Sequence, residues 1–292
     1  MHTLSSELQR LYFLPEQSWW RQPAGAAGSL SISASAPFGE DVLADCLAGQ
    51  AAVALALVGP AATVRTMVLT FRQADAWARV ASLYRALQSD LALPAPALSV
   101  SGRAGYRLWL SLAEPLPLAQ ARRFLNALQQ KYLADLPIAD LELLPAPISA
   151  EPDLVRLPPA LHAGSGRWSA FIDPSMGSMF IDEAGLEMAP SLAKQADMLA
   201  GLDSIASGDF EQALALLETA PPTVAAPIER EAAASQPGSD TADASERLSV
   251  GGHFSDPQSF LLAVMNDPTA SARQRIRAAK ALLPYFAART PE

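Results

Sequence analysis

The chain has 292 residues, half of them hydrophobic and 17% charged, with 21 Lys+Arg against 30 Asp+Glu and 24 prolines. That length can bury one large core or two ordinary ones. The single Cys46 excludes a disulfide scaffold, and with only His2, His162 and His253 beside it a His/Cys metal centre is excluded too. No apolar run approaches the roughly 20 residues of a membrane span. The opening MHTLSSELQR lacks a basic stretch followed by an apolar one, so no signal peptide is read and a reducing, cytoplasmic setting is expected.

In chain order, residues 1–40 read as a loosely ordered arm with a short helix over 7–13, held where Trp19 and Trp20 dock. Apolar runs of strand length follow at 51–58 and 64–71, parted by the turn signal Gly59-Pro60. Spacings of three and four predict a helix over 75–91, stopped by Pro94 and Pro96. A short strand at 97–100, the turn SGRAG and an alternating strand at 106–112 come next. Pro117 then suits the first turn of a helix over 118–133. Weaker strands are expected at 139–144 and 154–157, a strand with a short return at 168–173 and 179–182, and helices at 191–202 and 209–218.

Residues 219–255 carry no aromatic until Phe254, have no periodicity, and have the composition of a disordered linker. Residues 256–292 read as a helical hairpin too small to bury much surface alone. The expected fold class is α+β: an antiparallel or mixed sheet with helices packed on it over 41–218, then the linker, then the hairpin.

The net charge of −9 is unevenly laid out. Residues 65–131 hold nine basic side chains against three acidic, or +6, whereas 132–218 hold three against fourteen, or −11. Fields act over a Debye length of about 8–10 Å, so the basic segment can attract an anion although the chain as a whole is acidic. The competing reading of these arginines is a set of solvated helix faces.

The order of strands and helices over 64–112, with SGRAG followed at once by YRLWLSL and PLPLAQARRFL, resembles the archaeo-eukaryotic primase family, whose members carry Ser-Gly-x-x-Gly-Tyr/Leu-His on consecutive strands. GRWSAFIDPSMG and the helix after it resemble a later part of plasmid-type members, so the likeness spans roughly 50–205. The resemblance implies a primase-like core that handles nucleotides or nucleic acid. It also implies two carboxylates at the end of the strand 67–72 to hold the divalent ions of phosphoryl transfer. This chain has Arg72 and Gln73 there, and Arg107 stands where the family histidine contacts phosphates. Asp173 and Asp182 could stand in for a third carboxylate, but not for the missing pair.

The resulting expectation is a fold that has lost catalysis and needs no cofactor, with phosphates of single-stranded nucleic acid or of a nucleotide bound by Arg65, Arg72, Ser101, Gly102, Arg103, Gly105, Tyr106, Arg107 and Trp109. Backbone N–H groups of the turn would help, and Tyr106 or Trp109 could stack on a base. For this the arginines must share one open face. An active nucleotidyl transferase and a plain protein-interaction scaffold are the competing function classes.

DPQSFLLAVMNDPTASARQRIRAAKALLPYF is similar to a helical segment of phage terminase small-subunit-like proteins, which implies a mobile-element or phage-defence setting. Arg273, Arg277 and Lys280 fall on one side of its second helix as candidate contacts for DNA or a protein partner.

Overall fold

The alternating and helical patterns resolve into two antiparallel sheets where one was expected. The computed structural model describes residues 3–14, 17, 19–23, 31–32, 38–103, 105–146, 154–219 and 257–266. The chain divides into two units, Met1–Pro227 and Ile228–Glu292.

The first unit runs α1 (Leu4–Tyr12), β1 (Trp19–Pro23), β2 (Ser31–Ile32), α2 (Glu40–Leu47), β3 (Ala51–Ala56), β4 (Thr63–Phe71), α3 (Trp77–Ser89), β5 (Ala97–Val100), β6 (Tyr106–Pro117), α4 (Leu118–Tyr132), β7 (Leu141–Leu144), β8 (Leu154–Arg156), β9 (Ala160–His162), β10 (Arg167–Phe171), α5 (Leu192–Ala200) and α6 (Ser207–Thr219). The larger sheet has the order β7-β4-β6-β5-β10-β9 and the smaller β2-β1-β3-β8. The fold is therefore α+β. From the second unit one helix is described, α7 (Pro257–Asn266). Most of the expected linker, and Arg273, Arg277 and Lys280 with the second helix of the hairpin, lie outside the described residues.

Alternation along β4 and β6 assigns each face of the larger sheet. Met67, Leu69 and Phe71 with Tyr106, Leu108 and Leu110 point to one side, where Val80, Leu83 and Leu87 of α3 and Phe124, Leu125 and Leu128 of α4 close a core. Burying each such leucine or phenylalanine contributes roughly 1.5–3 kcal/mol, so this layer is the main stabilising element. On the opposite face Val68, Ala97, Trp109 and Phe171 meet α1, α2, α5 and the smaller sheet in a second core.

Within the expected arm 1–40, the described residues 3–14 form a capped, buried helix. Leu4, Leu8, Leu11 and Tyr12 are all buried in the second core. Thr3 caps α1, its hydroxyl accepting from the Ser6 N–H while Ser6 Oγ takes the Thr3 N–H. At the other end of α1, Arg10 donates to the Leu199 and Leu202 carbonyls, satisfying the open C-terminal end of α5. The apolar runs over 51–58 and 64–71 meet at the antiparallel bridge between Val58 and Val64 and then part. Ala61 and Ala62, at φ 57° and 53°, re-aim the chain, and β3 joins β1 and β8 instead. The return strand expected at 179–182 is also absent: after β10, Asp173 caps a 3₁₀ turn over Pro174–Phe180.

Candidate anion-binding cleft

Residues paired directly across an antiparallel ladder point to the same side of the sheet. Val68, Trp109 and Ala97 make one such row over β4, β6 and β5, and all three belong to the second core. Two residues further along, the row becomes Glu142, Thr70, Arg107 and Ser99. The face thus turns from apolar to polar within one strand repeat.

This polar row borders a cleft of about 720 Å³, within the size range of small-ligand sites, roughly 300–1,000 Å³. Its walls carry Thr70, Arg107, Glu142 and Ser169 from the sheet, Arg72 just beyond β4, and Ser101 and Arg103 in the β5–β6 loop. Leu154 and Arg156 of β8 and Ala160, Leu161 and His162 of β9 complete it.

Four guanidinium groups therefore face one carboxylate. Arg72 Nη2 donates to Glu142 Oε1 at 2.9 Å, Arg107 Nη1 to the Arg156 carbonyl at 3.2 Å, and Arg156 to the Gln22 side chain. Arg103 is exposed at the loop and holds no ion pair among the described residues. Arg107 is the deepest of the four: burial pushes its pKa down, Glu142 pulls it back up and Arg156 pushes it down again. Its ordinary value is so high that it keeps its charge. The Nε of Arg107 and the Oγ1 of Thr70, cross-strand neighbours, are both buried without a hydrogen-bond partner in the protein. Leaving a buried donor unpaired costs about 1–3 kcal/mol, and more for a charged group.

His162 sits across from this pair. Its Nδ1 accepts from the Ser165 N–H at 3.2 Å, and burial, then Arg156 and Arg103, hold its pKa below the usual histidine value. The imidazole is neutral near pH 7, with the remaining proton on Nε2 by this bonding.

The structure places the nine residues expected to bind in four different settings. Arg72, Ser101, Arg103 and Arg107 line one cleft. Arg65 does not join them: it lies seven residues back from Arg72 along β4, about 23 Å at strand rise, and donates through Nη2 to the Arg10 carbonyl at 2.7 Å. Tyr106 and Trp109 are 0% and 1% exposed. The Tyr106 hydroxyl donates to the Gly177 carbonyl and the Trp109 indole N–H to Ser99 Oγ, each at 2.8 Å. Neither ring offers a face to a base, so the stacking role read for them is corrected to a core role.

Gly102 and Gly105, at φ 76° and 79°, serve the loop's own backbone contacts. A Cβ on Gly105 would stand 1.7 Å from the Phe71 carbonyl oxygen, and one on Gly102 2.9 Å from the Ser169 nitrogen. The N–H groups of Ser101, Gly102 and Arg103 are already bonded to the Gly105 carbonyl, the Ala184 carbonyl and Ser101 Oγ. With these three N–H groups taken, the arginine, serine and threonine side chains are donors that the described residues turn toward this cleft.

Sequence reading missed Thr70, Glu142, Arg156 and His162. Alternation from Arg72 back to Thr70 was a usable signal for the first. The other three arrive through non-local pairing that no local pattern announces.

Asp173 faces away, its Oδ1 accepting from the Ser175 N–H and hydroxyl, which lowers its pKa. Asp182 is exposed in the turn that follows, and among the described residues no three His, Cys, Asp or Glu side chains are placed to hold a metal ion. Cys46 is buried, and burial followed by the Asp45 charge pushes its thiol up to about 11, the state of an inert core group. Among the described residues, no helix is long and apolar enough to cross a membrane.

No family model and no curated protein matches the chain. Among solved structures it is similar to the polymerase domain of Ligase D from Mycobacterium tuberculosis in complex with DNA, at 18% identity and a TM-score of 0.34, over 69% of this chain and 75% of that one.

Proposed function

We propose that the first unit is a non-catalytic phosphate-binding module, taking phosphates of a single-stranded nucleic acid or a nucleotide in the cleft between Arg72, Arg103, Arg107 and Arg156. The observation that carries this reading is the buried, unpartnered pair Arg107 Nε and Thr70 Oγ1 on the wall of a cleft with four guanidiniums. Buried polar atoms are nearly always satisfied inside a fold, and an exception on a basic cleft wall points to an anionic ligand that completes them. Arginine suits this task because its planar fork meets phosphate oxygens in pairs.

The reading is non-catalytic because the cleft offers one carboxylate, Glu142, and Arg72 already engages it. Two-metal phosphoryl transfer needs several such ligands converging on the reacting oxygens. With Tyr106 and Trp109 in the core, no Phe, Tyr or Trp among the described residues lines the cleft, so recognition rests mainly on phosphate and not on base identity.

The test is binding of single-stranded DNA to the full chain at a series of salt concentrations. Wild type is expected to bind with an affinity that falls steeply as salt rises, and Arg103→Ala/Arg107→Ala to lose most of that affinity together with the salt slope. Equal binding by both proteins would sink the assignment.

A further inference from the structure

The arginines of the cleft keep their charge at every pH, whereas His162, on β9, can add one near neutrality. Burial, then Arg156 of β8 and Arg103 of the β5–β6 loop, favour its neutral ring. The carboxylates on neighbouring elements are engaged elsewhere. Glu142 of β7 holds Arg72, Asp45 of α2 holds Arg21, and Glu183 holds Arg167, the residue paired with His162 on β10. Glu187 lies 3.9 Å from the same Arg167, and β3 carries no charge. With no anion bound, the charges that bear on the ring are thus positive.

An acceptor nevertheless stands ready for a second ring proton. Ser165 Oγ lies 3.1 Å from His162 Nδ1 and gives its own hydrogen to the Gly102 carbonyl at 2.5 Å, which leaves a lone pair for the ring. A proton on Nδ1 exchanges the bond from the Ser165 N–H for one to the Ser165 hydroxyl. The turn is still closed by the Gly166 N–H on the His162 carbonyl at 2.9 Å. Nε2 bonds to none of the described residues and is the nitrogen left to meet a ligand.

We propose that His162 is a further binding group of the cleft, one that takes a proton from solvent onto Nδ1 when an oxyanion such as phosphate or sulfate binds, so that affinity for the anion rises as pH falls. This rests on the reading of the cleft as an anion site.

The sign follows from linkage. In the empty cleft Arg156 and Arg103 oppose one more positive charge. An anion seated among the guanidiniums offsets them and attracts the imidazolium, so the ring titrates at a higher pH with the anion bound than without it. Affinity is then greatest below the titration midpoint of the empty cleft and falls as pH rises through that of the occupied one. The neutral ring still offers Nε2–H, but without the charge. A histidine that only packs in the wall titrates alike in both states.

The test uses sodium sulfate, which stays a dianion over the range where histidine titrates, at constant ionic strength with the full chain. Histidine ring signals in a long-range ¹H–¹⁵N spectrum are followed against pH with and without saturating sulfate, that of His162 being assigned by its loss in His162→Gln. Its midpoint is expected to rise by about one pH unit, which makes sulfate affinity on the order of tenfold greater at low pH than at high. Calorimetry near the midpoint, in two buffers of different ionisation heat, should show proton uptake on sulfate binding by wild type and none by His162→Gln.

A midpoint that sulfate leaves in place, or the same pH dependence of affinity in wild type and His162→Gln, overturns the proposal. If sulfate binding is then lost in Arg107→Gln, the anion cleft stands and only the role of His162 falls. If wild type binds no sulfate at any pH, the reading of the cleft falls with it.

Discussion

Arg107 and Trp109 are two residues apart on one strand and one face, yet they do different work. Trp109 packs against Tyr12 and Phe171, with ring centroids 5.3 and 5.9 Å away, and gives its N–H to Ser99. Arg107 leads into the cleft. Alternation places both on the same side and cannot say which is covered, because the cover comes from α1, nearly a hundred residues earlier in the chain. The distinction is measurable. Trp109→Phe removes a buried hydrogen bond and strands the Ser99 hydroxyl, so it should lower unfolding stability in urea by about 1–3 kcal/mol while leaving single-stranded DNA affinity unchanged. A weakened affinity with full stability would return Trp109 to the binding surface.

At the scale of elements, the hairpin of β5 and β6 was the most legible part of the fold. Its strand starts at Ala97 and Tyr106 coincide with the pattern, because two short alternating runs around a glycine-bearing loop specify local pairing. What the glycines do was not legible. Gly105 lies against the Phe71 carbonyl, so the loop is seated on the end of β4, and this seating sets Arg103 and Arg107 beside Arg72.

Gly166 shares a positive φ of 66° but has open space around its Cβ direction. Gly166→Ala should therefore cost only the left-handed conformation, about 1–2 kcal/mol. Gly105→Ala should cost that and a backbone clash, together more than about 3 kcal/mol, and should weaken DNA binding by displacing the loop. Thermal melts of the two variants check the contrast, and equal losses would contradict the seating. The strand at 160–162 escaped the sequence reading because three residues are too few to show a period, and although β3 and β4 were read as strands, their own pattern does not say that they belong to different sheets.

Over the whole molecule, the layout of charge carried part of the truth. The basic segment 65–131 contributes Arg72, Arg103 and Arg107 to the cleft. Its other arginines are largely spent on structure: Arg79 pairs with Asp135, Arg123 with Glu218, Arg122 bonds the Pro145 carbonyl and Arg65 the Arg10 carbonyl. The cleft instead draws Arg156 and His162 from the acidic segment 132–218, through the pairing of β8 with β3 and of β9 with β10. Segment charge could suggest that an anion site exists. Only the tertiary pairing says which side chains form it, and the site's field is then local and open to screening by salt.

Arginine Nε–H resonances in a ¹H–¹⁵N spectrum of the full chain test the anion site most directly, because they report on the very atom the account depends on. Arg65 provides an internal control, since its Nε is also buried without a protein partner but lies at the far end of β4. Titration with sodium sulfate at constant ionic strength should shift the Arg107 Nε–H signal, assigned by its loss in Arg107→Gln, along a saturable curve while the Arg65 signal stays in place. An Arg107 signal that does not move, or an Arg65 signal that moves with it, would contradict the account.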